Sequence, residues 1–288
     1  MSNYSELIAG CMTWGIWGKN LNTQEMSTLI HTCLENDITT FDHADIYGDY
    51  TTEADFGKAF IESKVNRNQI QLISKCGIQY VGKTRNNRVK YYDYSKEYII
   101  WSVEQSLKNL QTEYLDLLLL HRPSPLMQAD EIYEAIDQLK KQGKIIDFGV
   151  SNFTPSQTDL INKKNSITVN QIEVSLTQFS SMLDGSLDHM QTHNVKPMAW
   201  SPLGSYFKEH SDQNERIKTE LVHLCKKYNA TESQLLLAWL YKHPAKITPV
   251  IGTTNIQRIK EAIKAQFIKL ETEDWFSLLV ASQGHKVP

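Results

Sequence analysis

The segment FDHADIYG, residues 41–48, places two carboxylates, an imidazole and a phenol directly after a short apolar run, 38–41. A carboxylate at the end of a buried strand is costly without a cation or hydrogen-bond donors beside it, so Asp42 needs a partner from elsewhere in the chain. Two candidates end other apolar runs: Lys75 follows 70–74 and His121 follows 115–120. A tyrosine titrates at about pH 10 and is a poor acid toward a carbonyl unless its phenolate is stabilised. A neighbouring Lys75 would favour the phenolate, and Asp42 would hold the ammonium charged and oriented. His121 would orient a carbonyl or share a proton. The set suits protonation of an oxygen while hydride arrives at its carbon.

Each residue taken singly has a plain structural reading. Lys75 reads as a surface cation, His121 as a core imidazole, Tyr47 as a packing aromatic and Asp42 as a helix-capping or salt-bridging carboxylate. Only a fold that gathers strand ends makes them a site. Apolar runs at 7–11, 38–41, 70–74, 115–120, 145–150, 169–172, 197–200 and 247–251 read as strands, and amphipathic stretches between them read as helices. Asn22-Thr23 and Thr154-Pro155 carry helix-start chemistry, and Gly143 stops the helix expected over 129–142. Helices are also expected over 183–193, 215–228, 231–241 and 256–265.

Eight strands alternating with helices, with no linker or low-complexity break, predict an α/β fold: a (β/α)8 TIM barrel spanning 1–288 as one domain, with an extra C-terminal helix near 274–282. An open doubly wound sheet is the alternative, but no Gly-rich dinucleotide fingerprint follows the first strand. In a barrel the strand C-termini converge, so Asp42, Tyr47, Lys75 and His121, from three successive strands, share one site.

The 288 residues are 41% hydrophobic and 22% charged, enough for a large core. A net charge of −3 and a pI near 6.3 supply no basic field for nucleic acid or anionic membrane. The basic cluster at 83–90 reads mainly as a solvated face of a long polar segment, 77–94, of the kind that is usually functional or mobile. Cys11, Cys33, Cys76 and Cys225 show no metal-binding spacing and suggest reduced thiols. The first residues lack signal-peptide character and no apolar run reaches a membrane span, so the expected setting is cytoplasmic.

FDHADIYG, the Lys of LISKCG, the His of LLLLHRP, FGVSNF, Gln171 in VNQIEVS, MAWSPLG and VIGTTNIQRI occur in order along nearly the whole chain. Together they resemble the aldo/keto reductase superfamily, and within it a bacterial subgroup of general aldo/keto oxidoreductases. The resemblance implies a metal-free, NADPH-dependent carbonyl reductase on a (β/α)8 barrel, with catalytic residues Asp42, Tyr47, Lys75 and His121. It implies that Ser151, Asn152 and Gln171 bind the cofactor carboxamide and that Trp200 stacks on the nicotinamide, where relatives usually carry tyrosine or another aromatic. A core aromatic is the other reading of Trp200.

Ser201, Leu203 and Gly204 would pass near the pyrophosphate, where small residues let backbone amides approach an anion. Gly252, Thr253 and Thr254 open a helix bearing Arg258 and form a cradle for a 2′-phosphate, which favours NADPH over NADH. Two departures stand here: some relatives carry lysine at the position of Gly252, and an adenine-contacting asparagine is replaced by Ala262. At the first strand the family pattern places Thr13 and Trp14 near the nicotinamide.

Trp14, Trp17, Tyr47, Tyr80 and Trp200 are expected around an aromatic-lined mouth suited to small aldehydes and ketones. Lys83, Arg85, Arg88 and Lys90 either attract an anionic substrate or solvate their loop. His43 and Asp45 are expected as rim residues, His43 hydrogen-bonded. Two rivals remain: a metal-dependent barrel hydrolase using His43, Asp45 and His121, and an NADPH-binding sensor with slow turnover.

Overall fold

Short apolar runs, each followed by a helix that carries the chain back, can pair only in parallel, and in this computed structural model, which describes residues 4–288, they close on themselves. The strands are β1 (Ile8–Gly10), β2 (Thr40–Asp42), β3 (Gln71–Cys76), β4 (Ile78–Gln79), β5 (Tyr91–Tyr92), β6 (Leu115–Leu120), β7 (Ile145–Ser151), β8 (Val169–Glu173), β9 (Lys196–Trp200) and β10 (Thr248–Ile251). The barrel order is β1-β10-β9-β8-β7-β6-β3-β2, and β4 and β5 pair as a separate antiparallel ribbon. The fold is therefore the expected (β/α)8 TIM barrel.

Side chains on a strand alternate between two faces. Ile8, Ile73, Leu117, Leu119, Val169, Met198 and Val250 fill the barrel interior as one buried cluster. The other face, with Leu7, Phe41, Leu72, Leu118, Leu120, Phe148 and Ile172, packs under the helices in a second, larger cluster. Stepping two residues past an interior position keeps the side chain inside. From Ile73, Leu119, Val169, Met198 and Val250 that step reaches Lys75, His121, Gln171, Trp200 and Gly252. The candidate site thus rests directly on the apolar floor of the barrel.

Several boundaries differ from the sequence expectation. β3 runs through Cys76, and Lys75 stays paired with Leu119, because its ammonium finds partners inside the barrel and the backbone need not leave the ladder. The segment 77–94 holds a ribbon in which Ile78 faces Tyr92. The helix expected from 183 begins at Ser186, after a 3-10 turn at Ser180–Met182 and a left-handed Gly185 (φ 86°).

Helix starts follow the local chemistry. Asn22, Thr154 and Thr231 each form a capping box with Glu25, Gln157 and Gln234 three residues on. The extra C-terminal helix, Thr272–Gln283, is clamped by Trp275, which stacks on Trp239 at 4.8 Å. Each indole N–H donates to the other residue's carbonyl, at 3.1 and 2.9 Å. Among the described residues no helix is long and apolar enough to cross a membrane.

Helices Thr52–Ser63 and Lys96–Leu110 meet at Gly57, where an added Cβ would lie 2.0 Å from the carbonyl oxygen of Asn109. Backbone cannot swing aside as a side chain can. Gly57→Ala is expected to lower stability by about 1–3 kcal/mol, read as a lower midpoint in urea unfolding. An unchanged midpoint would contradict this packing.

Candidate active site

Lys75 is 1% exposed, and its ammonium is met on every side the barrel offers. Nζ donates to both carboxylate oxygens of Asp42 at 2.7 Å and to the carbonyl of His43 at 2.8 Å. It lies 3.2 Å from the Tyr47 hydroxyl. Asp42 also accepts from Gln171 Nε2 at 2.9 Å, a contact across the barrel between β2 and β8. A buried ion pair with these additional bonds keeps both charges compensated.

Tyr47 reaches Lys75 because the chain turns sharply behind it. Gly48, Asp49 and Tyr50 all adopt left-handed backbone, at φ 61°, 55° and 69°. A Cβ on Gly48 would lie 2.4 Å from Thr52 Oγ1, so glycine is required there. Burial pushes the Tyr47 phenol up, and Lys75 only partly offsets this. The phenol therefore keeps its proton at neutral pH, and Lys75 favours its deprotonated form as expected without outweighing burial. Burial also works against the Lys75 ammonium, but Asp42 and Tyr47 outweigh it and hold Lys75 above the usual lysine value.

His121 packs edge-on to Tyr47, with centroids 6.1 Å apart, and its buried Nδ1 has no protein partner. Burial, and then the charge of Lys75, hold its imidazole well below the usual histidine range. It is neutral, which suits it to orient an oxygen rather than to supply a proton.

The residues expected at the cofactor form a chain of contacts around the same mouth. Ser151 Oγ donates to the Gln171 carbonyl at 2.8 Å, and Asn152 Nδ2 donates to Ser151 Oγ at 2.7 Å. Trp200 Nε1 donates to Asn152 Oδ1 at 2.9 Å, and Arg122 lies 5.3 Å from the centroid of its ring. Trp200 is half-buried at the mouth. Ser201 and Gly204 both have positive φ, 50° and 55°, in the loop that carries Leu203.

Thr13 Oγ1 donates to the Gly252 carbonyl at 2.7 Å, tying the first loop to the end of β10. A Cβ on Gly252 would meet only Thr13 Oγ1, at 4.0 Å, so the approach to this backbone is open. Thr253 and Thr254 are half-buried and Arg258 is exposed, beside the Asn255 cap of helix Ile256–Lys264. Amide and hydroxyl donors beside Asp42 and Gln171, an indole face, and open backbone at a helix start fit the carboxamide, ring and phosphate of a nicotinamide dinucleotide.

Trp14 is placed elsewhere. It is 1% exposed and packs on Phe41 and Phe56 between barrel and helices, not at the mouth. Trp17 takes the inward place, 6.3 Å from Tyr47 and 5.1 Å from Tyr80. Both tryptophans follow the first strand, and only the turn between them decides which faces in.

His43 is not a hydrogen-bonded rim residue. It is fully buried, both ring nitrogens lack partners, and it meets Phe56 edge-on at 4.4 Å. Burial, reinforced by Lys75, lowers it from 6.5 to about 3. Asp45 is buried as well, accepting from the hydroxyls of Tyr98 at 3.2 Å and Ser102 at 3.1 Å. His43, Asp45 and His121 do not converge as metal ligands, which removes the structural basis for the hydrolase reading.

Arg85 does not solvate its loop. Its guanidinium stacks 3.7 Å over Tyr50 and donates to Gln79 and Tyr98, both at 2.9 Å. Asp49 accepts from the amides of Lys83 and Thr84 at 2.7 and 3.1 Å, so segment 77–94 is pinned to the Tyr47 turn. The aromatic residues at 50, 98 and 101 were the available signal for this anchor, but Tyr50 lies far in sequence from the helix that carries Tyr98 and Trp101.

A closed parallel barrel carries a compensated lysine, a protonated tyrosine and a neutral histidine together at its strand ends, where the active sites of (β/α)8 enzymes lie. The chain belongs to the aldo/keto reductase family, whose profile matches residues 6–279, and is an oxidoreductase. It is 42% identical over 291 residues to the uncharacterized oxidoreductase YcsN of Bacillus subtilis strain 168, covering 99% of this chain and 96% of that one. It is 38% identical over 285 residues to a 6-dehydroglucose reductase of Agrobacterium fabrum strain C58, covering 96% and 95%. The crystal structure of an aldo/keto reductase from Klebsiella pneumoniae in complex with NADP and acetate matches with a TM-score of 0.77 and 25% identity, over 94% of this chain and 89% of that one.

Burial, then the charge of Glu53, raises Asp45 from 3.8 to about 7 against the pull of Arg85, Ser102 and Tyr98. A carboxyl that holds its proton more tightly when folded stabilises below its unfolded value and loses that contribution as pH rises through the folded one. His43 and His121 act oppositely over the same range, so the comparison is with Asp45→Asn. Wild-type stability relative to this variant is expected to fall between about pH 4 and about pH 7 in urea unfolding. A rise over that window would overturn the assignment.

Proposed function

We propose that this oxidoreductase reduces aldehydes and ketones to alcohols with NADPH, the whole chain acting as one catalytic domain. The single observation that carries the reading is Lys75, which touches Asp42 and Tyr47 at once. The nicotinamide, when bound, supplies the hydride. Tyr47 donates its proton to the carbonyl oxygen as the carbon receives that hydride, so the C=O bond becomes C–O–H. Lys75 stabilises the phenolate left behind, and Asp42 keeps Lys75 charged and aimed. Neutral His121 orients the carbonyl oxygen between itself and Tyr47.

Ser151, Asn152 and Gln171 hold the carboxamide and Trp200 covers one ring face. Ser201, Leu203 and Gly204 line the path of the pyrophosphate, and Thr13 lies near the nicotinamide. Gly252, Thr253, Thr254 and Arg258 receive the 2′-phosphate, and NADH, which lacks that group, binds less well. The carbonyl sits against Trp17, Tyr47 and Tyr80. A relative named a 6-dehydroglucose reductase makes a dehydro-sugar a natural member of a test panel.

Tyr47→Phe removes only the acid. It is expected to bind NADPH as the wild type does and to lose turnover on the order of 10²- to 10⁴-fold across a carbonyl panel, measured by stopped-flow NADPH oxidation. Equal turnover in the variant would sink the role of Tyr47. A wild type that binds NADPH and oxidises it with no carbonyl would favour a sensor.

Arg258→Ala is expected to weaken NADPH binding on the order of tenfold while leaving NADH little changed, read by fluorescence titration. A parallel loss for both cofactors would rule out a 2′-phosphate contact.

A further inference from the structure

Two histidines lie four residues apart at the end of helix Ser186–Thr192, a spacing that puts side chains on one helical face. The rings of His189 and His193 are 4.2 Å apart between centroids and tilted by 30°. The adjacent helix, Pro155–Asn162, turns Asp159 toward both. Asp159 Oδ1 is 2.7 Å from His189 Nε2 and 4.0 Å from His193 Nε2. One ligand atom from each residue lies within 4.8 Å of the other two, the one such group among the described residues.

A second, independent feature concerns the tautomer. His193 Nδ1 lies 2.9 Å from the backbone carbonyl of His189. A carbonyl only accepts, so Nδ1 carries the hydrogen and, in the neutral ring, the lone pair sits on Nε2, toward Asp159. Metal-bound histidines commonly make this same bond to a carbonyl through the nitrogen that does not ligate.

We propose that Asp159, His189 and His193 form a binding site for a divalent transition cation of the zinc type. In such a site the metal takes the place of the proton that His189 Nε2 shares with Asp159. Bonds of about 2.0–2.2 Å to nitrogen and oxygen place tetrahedral ligand atoms about 3.3 Å apart, between the two separations observed. The required shifts are short, and the side chains of Asp159 and His193, 51% and 40% exposed, are free to make them. Two imidazoles and one carboxylate select zinc, cobalt, nickel or copper over magnesium and calcium, and the open side leaves a fourth position for water.

The site lies in the outer helical layer and shares no residue with the Tyr47 constellation. Its role is a clip: it ties together the helices that follow β7 and β8, the strands that carry Ser151 and Gln171.

The test uses untagged, chelator-stripped full-length protein, titrated with zinc chloride by calorimetry, with magnesium chloride as control. The expected result is one zinc per chain, a thermal midpoint that rises with zinc, and no response to magnesium. Asp159→Asn and the mild His193→Gln, with unchanged circular dichroism, are expected to weaken zinc binding by at least about tenfold and abolish the thermal shift. Absence of zinc binding by the wild type would overturn the proposal and leave a plain histidine–carboxylate hydrogen bond. Unchanged affinity in the His189→Ala/His193→Ala double variant would also overturn it.

Discussion

The site depends on one buried charge. Lys75 sits inside a barrel where an isolated ammonium would be expelled, and it stays because Asp42 meets it with both oxygens, assisted by the His43 carbonyl. Those contacts fix Asp42, and Gln171 then fixes Asp42 from the opposite side of the barrel. Tyr47 joins as the remaining polar neighbour, so its hydroxyl is positioned by the same cation that stabilises its deprotonated form. Asp42 and Lys75 depend on each other, since removing either leaves the other's charge buried without its counter-charge.

The barrel supplies this charge with a floor. Interior apolar residues and site residues occupy successive inward positions on the same strands, so the polar layer begins where the apolar one ends. Low polarability beneath and restricted solvent access above strengthen the electrostatics of the site. The same burial that raises Tyr47 lowers His121 and His43, leaving one proton carrier among three neighbouring titratable rings. The protonated state of Tyr47 follows from its environment as much as from its residue type.

Around this centre, a second network holds the chain in place. Asp45 takes hydroxyl donors from helix Lys96–Leu110, and Tyr98 of that helix accepts from Arg85 of segment 77–94. Asp49, inside the left-handed turn after Tyr47, binds the backbone of the same segment. The turn that aims Tyr47 and the segment beside the mouth are therefore fastened to each other.

The sequence by itself determined the alternation of strands and helices, the capping boxes, and the placement of Asp42, Lys75 and His121 at the ends of apolar runs. These are local properties: periodicity, cap chemistry and run length are written within a few residues. Only tertiary structure decided that Gln171 would grip Asp42 across 129 residues, and that Trp17 would face the mouth while Trp14 entered the core. It also decided that His43 would be buried without partners and that Arg85 would stack on an aromatic ring. The physical reason is that the surroundings of a side chain are set by elements distant in sequence. Burial, and with it the protonation state of Tyr47, His121 and Asp45, comes into being only when the barrel closes.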